Sequence, residues 1–151
     1  GGGFAAHQDA TAYRFVDHHI SAMVPVDPAT ISSGCLWFAD GRTEATLATD
    51  GRGRIRPDVE QQLNWVPVEA QPGDVVLFDS YAPHRSGTNS TSDPRRILYL
   101  TYNSSALGDF RSAYYADKLA EFEREGDDFD DERVRMSIND DFLGRPVGRR
   151  G

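Results

Sequence analysis

Cysteine is almost missing from this chain: Cys35 stands alone among 151 residues. One thiol cannot close an internal disulfide, and it excludes every metal cluster built on several thiolates, so a bound metal must be held by His and carboxylate. A lone cysteine fits a reducing compartment, and the expected location is cytoplasmic. Long apolar runs are absent too. Nothing approaches the roughly 20 consecutive apolar residues that span a bilayer, and no signal-peptide pattern opens the chain. Positive charge is short: 16 Lys and Arg face 24 Asp and Glu, for a net charge of −8. That balance argues against a general nucleic-acid or acidic-membrane binder while leaving room for a local basic pocket. Much of the acid lies between Glu121 and Glu132. No internal repeat is visible. The partner these absences leave is a small-molecule substrate.

What is present is a series of short β-prone runs. A chain of this length suits one domain burying about 68–70 % of its unfolded surface. Runs near 5–13, 19–26, 34–39, 65–69, 74–82 and 95–103 read as strands, with Val75–Phe78 apolar enough to be buried on both faces. Asp27-Pro28, Ser32-Ser33-Gly34, Asp40-Gly41, Asp50-Gly51 and Pro72-Gly73 separate them with turn chemistry. The stretch 42–64 is polar and weakly periodic, and reads as a long excursion with one strand near Ala45–Ala48. This is the pattern of a mostly β sandwich or barrel. After Ser104 the character changes. Asp109 or Ser112 can cap a helix, and Tyr115, Leu119 and Phe122 recur at helical spacing. The expected layout is a β core over 1–105, a helix over 106–125 packing on the sheet, and an acidic linker with an irregular tail over 126–151.

Chemistry concentrates at His7-Gln8-Asp9 and at Asp79-Ser80-Tyr81-Ala82-Pro83-His84. Side chains two apart on a strand share a face, so His7 and Asp9 can hold one ion between them. His-x-Asp alone is a weak signal. His84 is the best third ligand, because it closes an apolar-rich run just before a polar loop. Two imidazoles and one carboxylate leave three octahedral positions open, the facial arrangement of non-haem Fe(II) oxygenases. Downstream, strand alternation sends one of Arg95 and Arg96 inward and the other out. A buried guanidinium needs an anion, and its planar fork matches a carboxylate. A bound dicarboxylate would serve, with Ser86 as a second donor.

Gly1-Gly2-Gly3-Phe4-Ala5-Ala6-His7-Gln8-Asp9, then Pro72-Gly73-Asp74-Val75-Val76-Leu77-Phe78, then His84-x-Ser86-x-x-Asn89 followed by Arg95, together resemble the phytanoyl-CoA dioxygenase family of Fe(II)/2-oxoglutarate oxygenases. The resemblance covers roughly residues 1–105. It implies a double-stranded β-helix (jelly roll, cupin-like), with iron held by His7, Asp9 and His84. It also implies 2-oxoglutarate gripped at its far carboxylate by Arg95 with Ser86, and O2 as oxidant. Family members carry a long segment before the Gly-rich lead-in, so the chain reads as a C-terminal portion. The stretch Gly34–Arg42 departs from the family pattern. With Asp9 in place, where Ala or Gly would admit a halide, hydroxylation of a C–H bond is the expected outcome. The group includes ectoine and aminoalkylphosphonate hydroxylases, and His-Gln-Asp-Ala-Thr points to the latter. Thr11 and Tyr13 continue the His7–Asp9 face, while His19, Ser21, Trp37 and Tyr81 could approach the substrate from neighbouring strands and Arg42 could meet a phosphonate. His18 and His19 read as surface or structural rather than as further ligands. The competing class is a non-catalytic, cupin-like small-molecule sensor.

Overall fold

Branched and aromatic runs broken by Pro, Gly and Asp build antiparallel strands joined by tight turns. The structure, a computed structural model, describes residues 3–41 and 43–125. In chain order the strands are β1 (Phe4–His7), β2 (Ile20–Pro25), β3 (Leu36–Ala39), β4 (Trp65–Val68), β5 (Val76–Asp79), β6 (His84–Ser86) and β7 (Ile97–Tyr102). They form two sheets, ordered β1-β6-β3-β4 and β5-β2-β7, with every pairing antiparallel. The chain passes from one sheet to the other at every connection except β3 to β4. This winding is the mostly β jelly roll that the strand pattern and the resemblance led us to expect.

Met23, Leu36, Ala70 and Phe78 form the buried centre, with Phe38, Val76, Ala82 and Ile97 packed against it. Register places Ser21 and Met23 of β2 beside Phe78 and Val76 of β5 and Thr101 and Tyr99 of β7, on the inner face of the three-stranded sheet. The opposite face presents Ile20, Leu77, Leu98, Leu100 and Tyr102, all exposed. Glycine is required where the lead-in and the turn before β3 meet the end of β6. A Cβ on Gly3 would collide with the Ser86 carbonyl oxygen, and one on Gly34, at φ +85°, with that of Gly87.

Several expected strands are shorter than read, and two readings are corrected. Ala45–Ala48 is no strand, because the Ala45 carbonyl and the Leu47 amide are taken by the side chain of Gln8 instead of a neighbouring backbone. The run expected to continue as one strand to 82 stops at Asp79, and His84 opens β6 rather than closing its predecessor. The 42–64 excursion also holds a short helix, α1 (Pro57–Glu60), started by Pro57 at its first position.

A second unit begins at Gly108. It contains α2 (Arg111–Glu125), whose first amide, that of Arg111, donates to the Asp109 carboxylate at 2.9 Å. The side chains of Leu119 and Phe122, the 126–151 tail and Arg42 lie outside the described residues. No helix among the described residues is long and apolar enough to cross a membrane.

Candidate metal centre

β1 ends at His7; Gln8 remains extended (φ −125°, ψ 133°), and Asp9 opens a 3-10 turn to Thr11. The strand expected over 5–13 therefore stops early, because Thr11 and its neighbours bond locally. The Thr11 amide and hydroxyl both donate to the Gln8 carbonyl (3.2 and 2.8 Å), and the Ala12 and Tyr13 amides donate to that of Asp9 (2.9 and 3.1 Å). The single extended residue between His7 and Asp9 preserves their common side; beyond Asp9 the face no longer continues.

His84 stands opposite His7 in β1 and Phe38 in β3. Each imidazole hydrogen-bonds through Nδ1 to the carbonyl two residues before it, His7 to Ala5 at 2.8 Å and His84 to Ala82 at 3.0 Å. A carbonyl can only accept, so both Nδ1 atoms carry a proton and each Nε2 is the nitrogen left to face a metal. Those Nε2 atoms lie 3.7 Å (His7) and 3.6 Å (His84) from Asp9 Oδ1. One ligand atom from each of the three lies within 4.8 Å of the others. The other Asp9 oxygen, Oδ2, accepts the Ser21 hydroxyl at 2.5 Å. His84 is buried against Phe78 and Phe38, with ring centroids 4.8 and 5.7 Å away. Burial, then the neighbouring His7, push its pKa down against the pull of Asp9, favouring the neutral ring that binds metals. Two imidazoles and one carboxylate oxygen suit an Fe(II)-type ion with open positions.

The residue between the ligands proves to be structural, and the sequence reading had no role for it. Gln8 is fully buried. Its amide nitrogen donates to the carbonyls of Tyr81 (2.7 Å) and Ala45 (3.1 Å), and its oxygen accepts the Leu47 amide at 2.7 Å. One side chain thus ties both ligand-bearing segments to the 42–64 excursion.

The two arginines divide as a surface cation and an inward one. Arg96 forks onto Asp27, with Nε and Nη2 at 2.8 Å and its backbone amide also at 2.8 Å. Arg95, two residues before β7, has a buried Nε with no partner among the described residues. An orphaned buried guanidinium nitrogen costs free energy unless an anion meets the group. Ser86 is buried on the same side of β6 as His84, and its oxygen accepts the Phe4 amide at 3.0 Å. Cys35 is buried, and burial raises its pKa, so it stays an unreactive thiol. The Arg96 hydrogen bonds hold the Asp27 carboxyl down to about 2 from its ordinary 3.8. A depressed carboxylate contributes stability above its unfolded pKa and loses it as pH falls through the folded one. Asp27→Asn should therefore lower Tm by a constant amount above about pH 5. That gap should close between about pH 4 and 2, as read from paired melting curves.

The remaining substrate-side residues are dispersed. Trp37 is in register with Arg85 on the face of β3 opposite to His84, and the Arg85 guanidinium lies 6.0 Å from its ring, so it does not line the metal-facing side. The Thr11 hydroxyl is committed to Gln8. Tyr81 donates its phenol to Asp17 at 2.7 Å beside His18, which is itself 3.0 Å from Asp79. His19 is buried with Nδ1 unpartnered among the described residues, and burial pushes its pKa down. Its ring meets Tyr13 edge-on at 5.0 Å, and the Tyr13 phenol bonds Asn103 at 3.2 Å. Asn103 escaped the sequence reading, though strand alternation from Arg95 places it on the inward set.

A mostly β jelly roll carrying a His-Asp-His cluster between its sheets defines a class of folds with a candidate metal centre of the facial type. A model of the family described as phytanoyl-CoA dioxygenase (PhyH) matches residues 1–97, and the chain belongs to that family. It is 46% identical over 148 residues to a methylphosphonate hydroxylase of Gimesia maris, covering 97% of this chain and 56% of the relative. It is 37% identical over 150 residues to a 2-aminoethylphosphonate dioxygenase of an uncultured bacterium, covering 97% and 57%. The chain thus spans about half the length of the curated relatives it matches. Among solved structures, EvdO2 from Micromonospora carbonacea var. aurantiaca, complexed with 2-oxoglutarate, is 31% identical with a TM-score of 0.55, over 67% of this chain and 45% of that one.

Proposed function

We propose that this protein is an Fe(II)/2-oxoglutarate-dependent dioxygenase that hydroxylates a C–H bond of a small phosphonate. The observation that carries the reading is the meeting of His7, Asp9 and His84, one ligand atom from each within 4.8 Å, with both Nε2 atoms turned to Asp9 Oδ1, in a β unit where the buried Arg95 Nε has no hydrogen-bond partner among the described residues. The relatives named for methylphosphonate and 2-aminoethylphosphonate support the substrate class. His7, Asp9 and His84 would hold the metal, and Arg95 with Ser86 would take the far carboxylate of 2-oxoglutarate. Iron, 2-oxoglutarate and O2 together supply the oxidising chemistry that turns C–H into C–OH. The chain's own part is to position. The carbonyls of Ala5 and Ala82 fix the imidazole tautomers. Phe38 and Phe78 keep the His84 side dry. His19 and Asn103 are the substrate-side groups we assign, with Tyr13 kept for its contacts to both and not for strand parity. A single buried thiol accords with the cytoplasm.

The test is succinate release, measured with and without a panel of alkyl- and aminoalkylphosphonates. Phosphonate-dependent release is expected, and release unaffected by every member would sink the substrate class. Arg95→Met should raise the KM for 2-oxoglutarate on the order of 10²-fold, the cost of stripping one partner from a buried charge pair. An unchanged KM would remove Arg95 from the cosubstrate.

A further inference from the structure

We propose that Ser21 sets how Asp9 meets the metal: by engaging Oδ2, its hydroxyl keeps Asp9 a one-oxygen ligand and so keeps three metal positions open. The inference rests on the metal-binding reading above, but its observation is a separate one. Asp9 sits in a turn whose backbone is fixed, its carbonyl accepting from Ala12 and Tyr13 and the neighbouring Ala10 amide donating to Ser80 at 2.9 Å. With the backbone held, the rotation of the carboxylate about its own bonds is the freedom left. Ser21 removes it. The serine is 3% exposed on the inner face of β2, flanked in register by Phe78 and Thr101. An ionised carboxylate only accepts, so the hydroxyl must donate, and the 2.5 Å separation is that of a short charge-assisted bond. With Oδ2 held by Ser21, it is Oδ1 that lies 3.7 Å from His7 Nε2 and 3.6 Å from His84 Nε2.

The consequence is one of coordination number. Carboxylates bind cations through one oxygen or two. An Asp9 released from Ser21 could turn both oxygens to the metal, and with two imidazoles would fill four of six positions. A chelating cosubstrate and O2 together need three. Ser21 is therefore a positioning residue, acting through Asp9, and not the substrate contact that its place beside the cavity first implied.

Mn(II) is the probe, since its affinity can be titrated by electron paramagnetic resonance and its bound waters counted by proton relaxation, without turnover. Ser21→Ala is expected to weaken Mn(II) binding about 10- to 100-fold, the usual cost of losing a ligand's hydrogen-bond partner. It should also cut bound waters from about three to about two. Ser21→Thr keeps the hydroxyl and should restore both. Should Ser21→Ala fail to fold, Ser21→Cys, of similar volume but a weak donor, should show the same losses. Unchanged affinity or unchanged relaxation in Ser21→Ala, or a Thr variant as impaired as Ala, would overturn the inference alone. If the unsubstituted protein binds Mn(II) no better than His84→Phe, the metal reading falls and Ser21 falls with it.

Discussion

His84→Phe is expected to fold and to lose phosphonate-dependent succinate formation by well over 100-fold. The aromatic substitute retains the packing that His84 makes against Phe78 and Phe38, at 4.8 and 5.7 Å between centroids. Truncation to alanine would instead leave a cavity costing roughly 3 kcal/mol, confounding ligand loss with unfolding. What phenylalanine cannot supply is Nε2, nor can it donate to Ala82. Removing a mere partner of a ligand typically costs about 10- to 100-fold in metal affinity or activity, and removing a ligand should exceed that. The checks are Mn(II) affinity, succinate release and Tm. A variant that keeps Mn(II) affinity and turnover would take His84 out of the metal centre. One that unfolds would show that His84 is needed first for packing.

The second large effect is on stability and falls on Gln8, which touches no metal. Gln8→Leu would fill the same space and strand the Leu47 amide and the carbonyls of Ala45 and Tyr81. A backbone group left without a partner costs about 1–3 kcal/mol where water is excluded, and because these three are only part-buried a loss of roughly 2–4 kcal/mol is expected. For a chain of this size each kcal/mol moves Tm by about 2–4 °C, so a fall of roughly 5–15 °C should be seen. Limited proteolysis should show cleavage in 43–50 preceding global unfolding, because the Gln8 amide is what takes the Ala45 carbonyl and the Leu47 amide. A Tm within about 2 °C of the unsubstituted protein would contradict this account.

Both predictions concern neighbours in sequence or space of the same cluster, yet they differ in how readily the sequence discloses them. The His7-x-Asp9 pair is legible because one extended residue suffices to put two side chains on one side. It stayed legible even though the strand supposed to carry it ends at His7. Thr11 and Tyr13 lost their assigned face for the complementary reason: hydroxyl and carboxylate residues prefer local bonds to a ladder, and the chain turned after Asp9. Trp37 was misplaced because parity on a strand says which residues share a face, not which face meets the cavity.

The arginines show where the boundary lies. Alternation alone required Arg95 and Arg96 to point opposite ways and left open which turned inward. The answer comes from Asp27, 69 residues away, whose carboxylate captures Arg96 at the surface. Gln8 reaches Tyr81 across 73 positions, and no local pattern announces that.

By itself the sequence determined the mostly β class, its strand runs and turns, and a donor set restricted to imidazole and carboxylate, because all of these follow from side-chain type and short-range spacing. Only the tertiary structure decided which arginine is captured by Asp27 at the surface, which oxygen of Asp9 faces the imidazoles and what Gln8 and Ser21 hold. Those depend on contacts between segments that are not neighbours in the chain, and their partners are chosen by register and burial once the two sheets have closed on each other.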